Sequence, residues 1–123
     1  MASKPPRILI LDDDPAHASL MKFYFEEEGY KVDWASNSAG FIDIAANMQP
    51  DAIVLDTILP DCDGFVIGKD LLADARTKAI PIVFVTVREA EKARGLAMGA
   101  KAFVSKPFRE DELKSAMKTA LNK

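Results

Sequence analysis

The fold is decided by a short stretch near the start of the chain, Ile8–Asp14 (ILILDDD), in which four apolar residues run directly into three carboxylates. Two later stretches repeat this arrangement, Ala52–Asp56 (AIVLD) and Ile82–Thr86 (IVFVT). Their apolar parts are continuous rather than alternating, which is the pattern that a β-strand buried on both faces requires. Such strands belong to parallel sheets covered by helices, so we predict a parallel sheet.

Between the apolar runs lie longer segments with helical periodicity. The first repeats apolar residues on one stripe of a 3.6-residue period: Leu20, Met21, Tyr24 and Phe25. Helices are predicted over Ala16–Glu28, Ser38–Met48, around Phe65–Leu72, and over Glu89–Met98 and Glu110–Leu121. Two weaker and more mixed runs are predicted as edge strands: Val32–Ala35 and Ala102–Ser105.

Strand and helix thus alternate five times along the chain. Strand–helix–strand units of this length require parallel pairing with right-handed crossovers. We therefore predict a single doubly wound (βα)5 α/β sandwich, with three layers and a five-stranded parallel sheet. Ligands of such folds bind beyond the carboxyl ends of the strands, where the strand order reverses.

Composition narrows the class of protein. The chain has 123 residues, a net charge of −3, 49% apolar and 28% charged residues, which is typical of one soluble globular domain. The single cysteine, Cys62, cannot form an internal disulfide, and no Cys/His cluster could hold zinc. The apolar runs are far shorter than the ~20 residues of a membrane span, and Asp12 ends the first run too early for a signal peptide. We expect a cytoplasmic protein.

The charge is unevenly placed along the chain. Residues 1–75 hold 5 basic and 14 acidic side chains, whereas residues 76–123 hold 11 basic and 5 acidic ones. Such asymmetry can mark an interaction face, although solvated helix surfaces are the more ordinary interpretation. The basic half lacks adjacent Lys/Arg runs and interleaved aromatic residues, so we expect no direct contact with nucleic acid.

Polar residues directly follow four of the predicted strands: Asp12–Asp14, Asp56, Thr86 and Lys106. Because the carboxyl ends of parallel strands meet at one edge of a sheet, we expect these side chains to converge. Each has an ordinary explanation alone, such as helix capping for Asp14. Together, however, the carboxylates of Asp12, Asp13 and Asp56 would repel one another unless positive charge lies between them.

Lys106 supplies one positive charge, and a hard divalent cation such as Mg²⁺ (or Mn²⁺) would supply the rest. A carboxylate beside such a cation, an ammonium group and a hydroxyl can accept a phosphoryl group as an aspartyl phosphate. The residues themselves thus predict a metal-assisted phosphoryl-transfer site.

The sequence resembles the receiver domain of two-component response regulators (CheY-like) from Ile8 to Leu121. Four motifs carry the resemblance, in register: Ile8–Asp14, Asp56–Gly64 (DTILPDCDG), Val85–Thr86 and Lys106–Phe108. It implies the flavodoxin-like receiver fold, with residues 1–123 as one receiver domain, residues 1–6 as an N-terminal extension, and no output domain in this chain.

The resemblance implies a role for each matching acidic residue. Asp56 would accept a phosphoryl group from a phosphohistidine on a histidine kinase or a histidine phosphotransfer protein. Asp13, Asp56 and the backbone carbonyl of Ile58 would bind Mg²⁺ directly, and Asp12 would act through a bound water. The chain would be no enzyme in the usual sense, because it would catalyse only its own phosphorylation and slow dephosphorylation.

The resemblance also implies a switch. Thr86 and Lys106 would contact the phosphoryl oxygens, and the bond between Lys106 and Pro107 would be a cis peptide. Phe103 would turn inward as Thr86 moves, reshaping the face of the fourth helix, fifth strand and fifth helix, to which a downstream protein would bind. An ordinary core aromatic is an equally good interpretation of Phe103. A homodimer linked to phosphorylation stays open, and no membrane partner is expected.

Three residues near the site would tune access and lifetime. Val87 stands where the family usually has Ala or Gly, and its two extra methyl groups are expected to obstruct small phosphodonors. Ile58 and Arg88 lie at positions that vary in the family and set the lifetime of the acyl phosphate. Apolar Ile58 favours a longer lifetime, because it cannot orient a water molecule.

Two alternative functions remain open. A phosphorylation-independent adaptor would keep the receiver fold, but the five pocket residues are all present: Asp12, Asp13, Asp56, Thr86 and Lys106. A Mg²⁺-dependent haloacid-dehalogenase-like phosphatase would use Asp12 and Asp14. Against it, the chain is short for that fold, and Pro15 stands where the motif has Gly, Thr or Val.

Overall fold

The computed structural model describes residues 4–87 and 89–122, so Arg88, Lys123 and the first three residues of the expected extension lie outside it. The strands are β1 (Arg7–Leu11), β2 (Lys31–Ala35), β3 (Ala52–Leu55), β4 (Ile82–Thr86) and β5 (Ala102–Ser105). The helices are α1 (Pro15–Glu27), α2 (Phe41–Met48), α3 (Gly64–Ala73), α4 (Lys92–Met98) and α5 (Glu110–Leu121), with a 3-10 turn over Glu89–Glu91. No helix in these described stretches is both long and apolar enough to cross a membrane.

The five strands form one parallel sheet in the order β2-β1-β3-β4-β5. This is the flavodoxin-like strand order, in which the order of the strands along the sheet reverses between β1 and β3. The predicted doubly wound α/β sandwich is confirmed. The two mixed runs, β2 and β5, are the edge strands, as their weaker apolar pattern indicates.

Two apolar clusters cover the two faces of the sheet, because successive side chains of a strand point to opposite faces. On one face Leu9, Leu55 and Phe84 pack with residues of α2 and α3. On the other face Ile10 and Val54 pack with residues of α1 and α5. Every residue of β3 and β4 is buried, which explains why these strands show no alternation.

Two helices begin at residues other than the predicted ones, each for a local reason. α1 begins at Pro15 because the carboxylate of Asp14 accepts backbone N–H groups of its first turn. α2 begins at Phe41 rather than at Ser38. Gly40, directly before Phe41, has a left-handed φ of 67°, which a right-handed helix does not accommodate. The backbone N–H of Ser38, further upstream, donates to Asp61 in the loop after β3 at 3.1 Å.

The apolar stripe of α1 is narrower than predicted. Met21 and Phe25 are fully buried and Tyr24 is half-buried, but Leu20 is 40% exposed. Adjacent residues of a helix lie about 100° apart around its axis. The burial of Met21 against the sheet therefore turns Leu20 toward solvent, and the prediction that Leu20 shares the apolar stripe was wrong.

Candidate functional site

Three carboxylates lie together where β1 and β3 end. Leu11 pairs with Leu55 across these strands, so the next residues, Asp12 and Asp56, are neighbours. Carboxylate oxygens of Asp12, Asp13 and Asp56 all lie within 4.8 Å of one another. Asp12 and Asp56 are buried, whereas Asp13 is exposed. The pairing of two central strands thus assembles what we call the acidic cluster.

Lys106 reaches the acidic cluster from the end of β5. Its Nζ donates to Asp12 at 2.7 Å and to Asp56 at 3.2 Å. The side chain is only 5% exposed. The backbone N–H of Lys106 donates to the carbonyl of Thr86 at 2.8 Å, and the peptide bond between Lys106 and Pro107 is cis. One ammonium group therefore contacts the two buried carboxylates.

Burial raises the pKa of the Asp12 carboxyl above its ordinary value. The hydrogen bond from Lys106 lowers this pKa, as does the backbone N–H of Asp14, which donates at 2.9 Å, but together they do not offset the desolvation. The charge of Asp56 raises it further. Lys106 thus compensates the negative charge at Asp12 only in part.

The donor set of the acidic cluster fits a hard divalent cation. Its three residues offer carboxylate oxygens, which Mg²⁺ and Mn²⁺ prefer over nitrogen and sulfur ligands. Three negative charges face one ammonium group, so a further cation would relieve their repulsion. The exposed side of the cluster at Asp13 leaves room for the water molecules that Mg²⁺ retains.

The loop after β3 holds Asp56 through backbone contacts. The N–H of Ile58 donates to the Asp56 carboxylate at 3.0 Å. The N–H of Gly64 donates to the carbonyl of Thr57 at 2.9 Å, and Asp63 caps α3. A Cβ on Gly64 would lie 2.0 Å from the Asp56 carbonyl oxygen, so only glycine permits this close approach.

Thr86 ends β4 with its side chain fully buried, and its hydroxyl lies 2.6 Å from that of Thr57, which is also fully buried. We call these two residues the threonine pair. Thr57 is absent from the predicted site. Its position gives a signal, because Thr57 lies two residues after Leu55, just as Thr86 lies two residues after Phe84.

Phe103 lies in β5, and α4 packs over its ring. Its ring is half-buried, with its centroid 6.4 Å from that of Phe84. A Cβ on Gly95 of α4 would lie 3.3 Å from the Phe103 ring, so α4 packs closely over it. Both the switch role of Phe103 and its interpretation as a core aromatic stay predictions.

Three residues are predicted to tune access to the site and the lifetime of the acyl phosphate, and the structure describes two of them. Ile58 and Val87 are both exposed. Ile58 lies two residues after Asp56, and Val87 directly follows Thr86. Arg88 lies outside the described residues. The tuning roles of all three remain predictions.

Two contacts of the loops that follow the strands are absent from the sequence prediction. The indole N–H of Trp34 donates to the backbone carbonyl of Asp12 at 2.6 Å. The hydroxyl of Ser38 donates to Asp61 at 2.5 Å, which ties the loop after β2 to the loop after β3. Both contacts join segments more than 20 residues apart, so no local pattern could have predicted them.

Comparison with known proteins points to one family. The family model for the response regulator receiver domain matches residues 8–118. The chain is similar to RpaA of Synechocystis, a DNA-binding dual master transcriptional regulator, with 37% identity over 96% of this chain and 50% of that protein. It is also similar to protein PilH of Pseudomonas aeruginosa, with 32% identity over 94% of this chain and 97% of that protein.

A solved structure gives the same result. A protein from Chloroflexus aurantiacus, described as a response regulator, has a TM-score of 0.91 and 30% identity, covering 98% of this chain and 100% of that one. The chain spans about half the length of several curated relatives that it matches, RpaA among them. These similarities favour neither alternative function. By its fold and its sequence, the chain belongs to the response regulator receiver domain family.

Proposed function

We propose that this receiver domain is a phosphoacceptor of a two-component system or phosphorelay, and that Asp56 is the acceptor. One observation carries the proposal: the Asp56 carboxylate lies in the acidic cluster and accepts a hydrogen bond from Lys106. Its side chain keeps 9% exposure, against 1% for Asp12. Asp56 is therefore the more accessible nucleophile of the two buried carboxylates.

The donor would be a phosphohistidine on a histidine kinase or a histidine phosphotransfer protein. An oxygen of Asp56 attacks phosphorus, the P–N bond breaks, and the imidazole leaves with the bonding electrons and takes up a proton. The product is an aspartyl phosphate. Lys106 and Thr86 would then contact the phosphoryl oxygens, the ammonium group neutralising their charge.

A divalent cation belongs to this proposal. Asp13, Asp56 and the carbonyl of Ile58 would hold Mg²⁺ or Mn²⁺, with Asp12 acting through a water. When bound, the ion supplies positive charge against the carboxylates and the phosphoryl oxygens. Asp12 also fixes the Lys106 ammonium group, which lies 2.7 Å from its carboxylate.

The signal would be read on the α4–β5–α5 face. Thr86 would move toward the phosphoryl group and Phe103 would turn inward, and because Gly95 lets α4 pack closely over that ring, the helix would respond. A downstream protein, or a second copy of the chain, would bind the changed face. Residues 1–123 would form one receiver domain, acting in the cytoplasm.

Mass spectrometry tests the proposal. The protein is incubated with Mg²⁺ and either acetyl phosphate or a phosphohistidine donor, and its intact mass is recorded. We expect one added phosphoryl group that hydroxylamine removes and that the Asp56→Asn variant does not acquire. The matched control is Asp70→Asn, which removes an exposed carboxylate on α3 and should label like the wild type. Equal labelling of Asp56→Asn would disprove the proposal.

A further inference from the structure

We infer that Thr57 is a positioning residue for Thr86: its hydroxyl holds the Thr86 side chain in the resting state, and phosphorylation of Asp56 has to break this contact. The inference rests on the proposed function and adds to it a residue that sets the balance between the two states. It is carried by the 2.6 Å contact between the two hydroxyl groups.

Strand geometry explains why the two threonines meet. Leu55 of β3 pairs with Phe84 of β4, and both belong to the apolar cluster that includes α2 and α3. Thr57 and Thr86 each lie two residues beyond this pair, so their side chains share that face of the sheet. Asp56 lies between Leu55 and Thr57 and has the opposite orientation along the strand. Thr86 is thus directed at Thr57.

The burial of the threonine pair makes the loss of its hydrogen bond energetically costly. Both threonine side chains are fully buried, and a buried hydroxyl without a hydrogen-bond partner is costly. The contact gives each hydroxyl of the threonine pair a hydrogen-bond partner, one as the donor and the other as the acceptor, which favours the resting orientation of Thr86. Since the phosphoryl oxygens would be attached to Asp56, a Thr86 hydroxyl that turns to them leaves Thr57. The threonine pair therefore opposes activation.

Beryllofluoride, which mimics a phosphoryl group on an aspartate, measures this balance in the presence of Mg²⁺. Thr57→Val removes the hydroxyl at nearly constant volume. Because one hydrogen bond of the resting state is lost, we expect the apparent affinity for beryllofluoride to increase by about fivefold. Thr57→Ser keeps the hydroxyl and should return the affinity to the wild-type value. NMR signals of Phe103 and of the α4–β5–α5 face report the transition.

The chain offers a matched control in Thr77. Thr77 follows the end of α3 and is also fully buried. Its hydroxyl donates to the carbonyl of Leu71 at 2.7 Å. Thr77→Val should lower the stability, as the loss of any buried hydrogen bond does, but leave the beryllofluoride affinity unchanged. A purely structural role of Thr57 predicts the same outcome for both variants.

Three results would overturn the inference. The first is an unchanged or weaker affinity of Thr57→Val, and the second is equal tightening in Thr57→Ser. If Thr57→Val does not fold, the methyl resonances of the threonine pair in the wild type test the inference instead. The inference requires these resonances to shift when beryllofluoride binds. Unshifted resonances are the third result that would overturn it. If the wild type takes up no beryllofluoride, or Asp56→Asn takes it up equally, the proposed function fails as well. If the wild type binds beryllofluoride at Asp56 but Thr57→Val binds it no more tightly, only the inference about Thr57 fails and the proposed function stands.

Discussion

At the scale of single residues, Asp12 experiences opposed influences. Lys106 at 2.7 Å and the N–H of Asp14 stabilise its ionised form, whereas burial and the nearby charge of Asp56 destabilise it. The indole N–H of Trp34 also holds its backbone carbonyl. The fold thus keeps a carboxylate at the end of a central strand although its charged form is poorly accommodated there, which is understandable if a cation joins it.

The raised pKa of Asp12 predicts how stability depends on pH without divalent cations. The folded protein holds this proton more tightly than the unfolded chain, so the stabilising contribution is full below the ordinary aspartate pKa and is lost as the pH rises through the raised value. Asn does not titrate. We expect Asp12→Asn to gain stability relative to the wild type as the pH rises from acid to neutral, measured by urea unfolding in EDTA.

Asp70→Asn serves as the control for this comparison, because its exposed carboxylate lies on α3, away from the acidic cluster. Its stability relative to the wild type should not follow the same trend. A difference between Asp12→Asn and the wild type that stays constant over this pH range would contradict the expected role of burial.

At the scale of elements, the join between β3 and α3 sets the position of Asp56. Gly64 starts α3 directly against the backbone of Asp56, and Asp63 caps the helix there. The backbone N–H of Ile58 in this loop donates to the Asp56 carboxylate. The Asp56 side chain is therefore placed by a helix start as much as by its strand.

Substitution at this join should affect both stability and the site. In Gly64→Ala the Cβ would lie 2.0 Å from the Asp56 carbonyl oxygen, and the backbone must move. We expect a loss of roughly 3 kcal/mol in the free energy of unfolding and weaker Mg²⁺ binding by calorimetry. Gly29→Ala is the control, since its φ of 89° disfavours alanine but no atom lies within 4 Å of the new Cβ. It should cost about 1 kcal/mol and spare Mg²⁺ binding. Equal effects of the two substitutions would contradict this account.

The same elements show what sequence alone can predict. Continuous apolar runs identify the central strands, and strand pairing then brings the residues that follow them to one edge, so Asp12, Asp56 and Lys106 could be placed together in advance. The start of α2 could not be predicted, because a glycine in a helical pattern does not reveal its φ, and Gly40 adopts a left-handed one directly before Phe41. Thr57 was not among the predicted site residues, because a threonine after an aspartate is ordinary loop sequence until the pairing register of the strands is known.

At the scale of the whole molecule, part of the charge asymmetry is satisfied internally. Lys114 of α5 lies 3.3 Å from Glu27 and 3.9 Å from Glu28 at the end of α1, and 2.6 Å from Glu110 on its own helix. Lys118 adds a contact to Glu28 at 3.5 Å. The acidic end of α1 and the basic side of α5 thus complement each other. These ion pairs link α5 to the end of α1.

Exposed ion pairs contribute little singly, but Lys114 joins three carboxylates from two helices and is only 20% exposed. We expect Lys114→Met to lower the urea midpoint of unfolding, because it leaves three like charges close together. The loss should shrink in about 1 M salt, where charges are screened over a few ångströms. Lys22→Met, at an exposed site on α1, is the control and should change the midpoint little. A loss in Lys114→Met that salt does not reduce would mean that its methylene packing, rather than its charge, links α5 to α1.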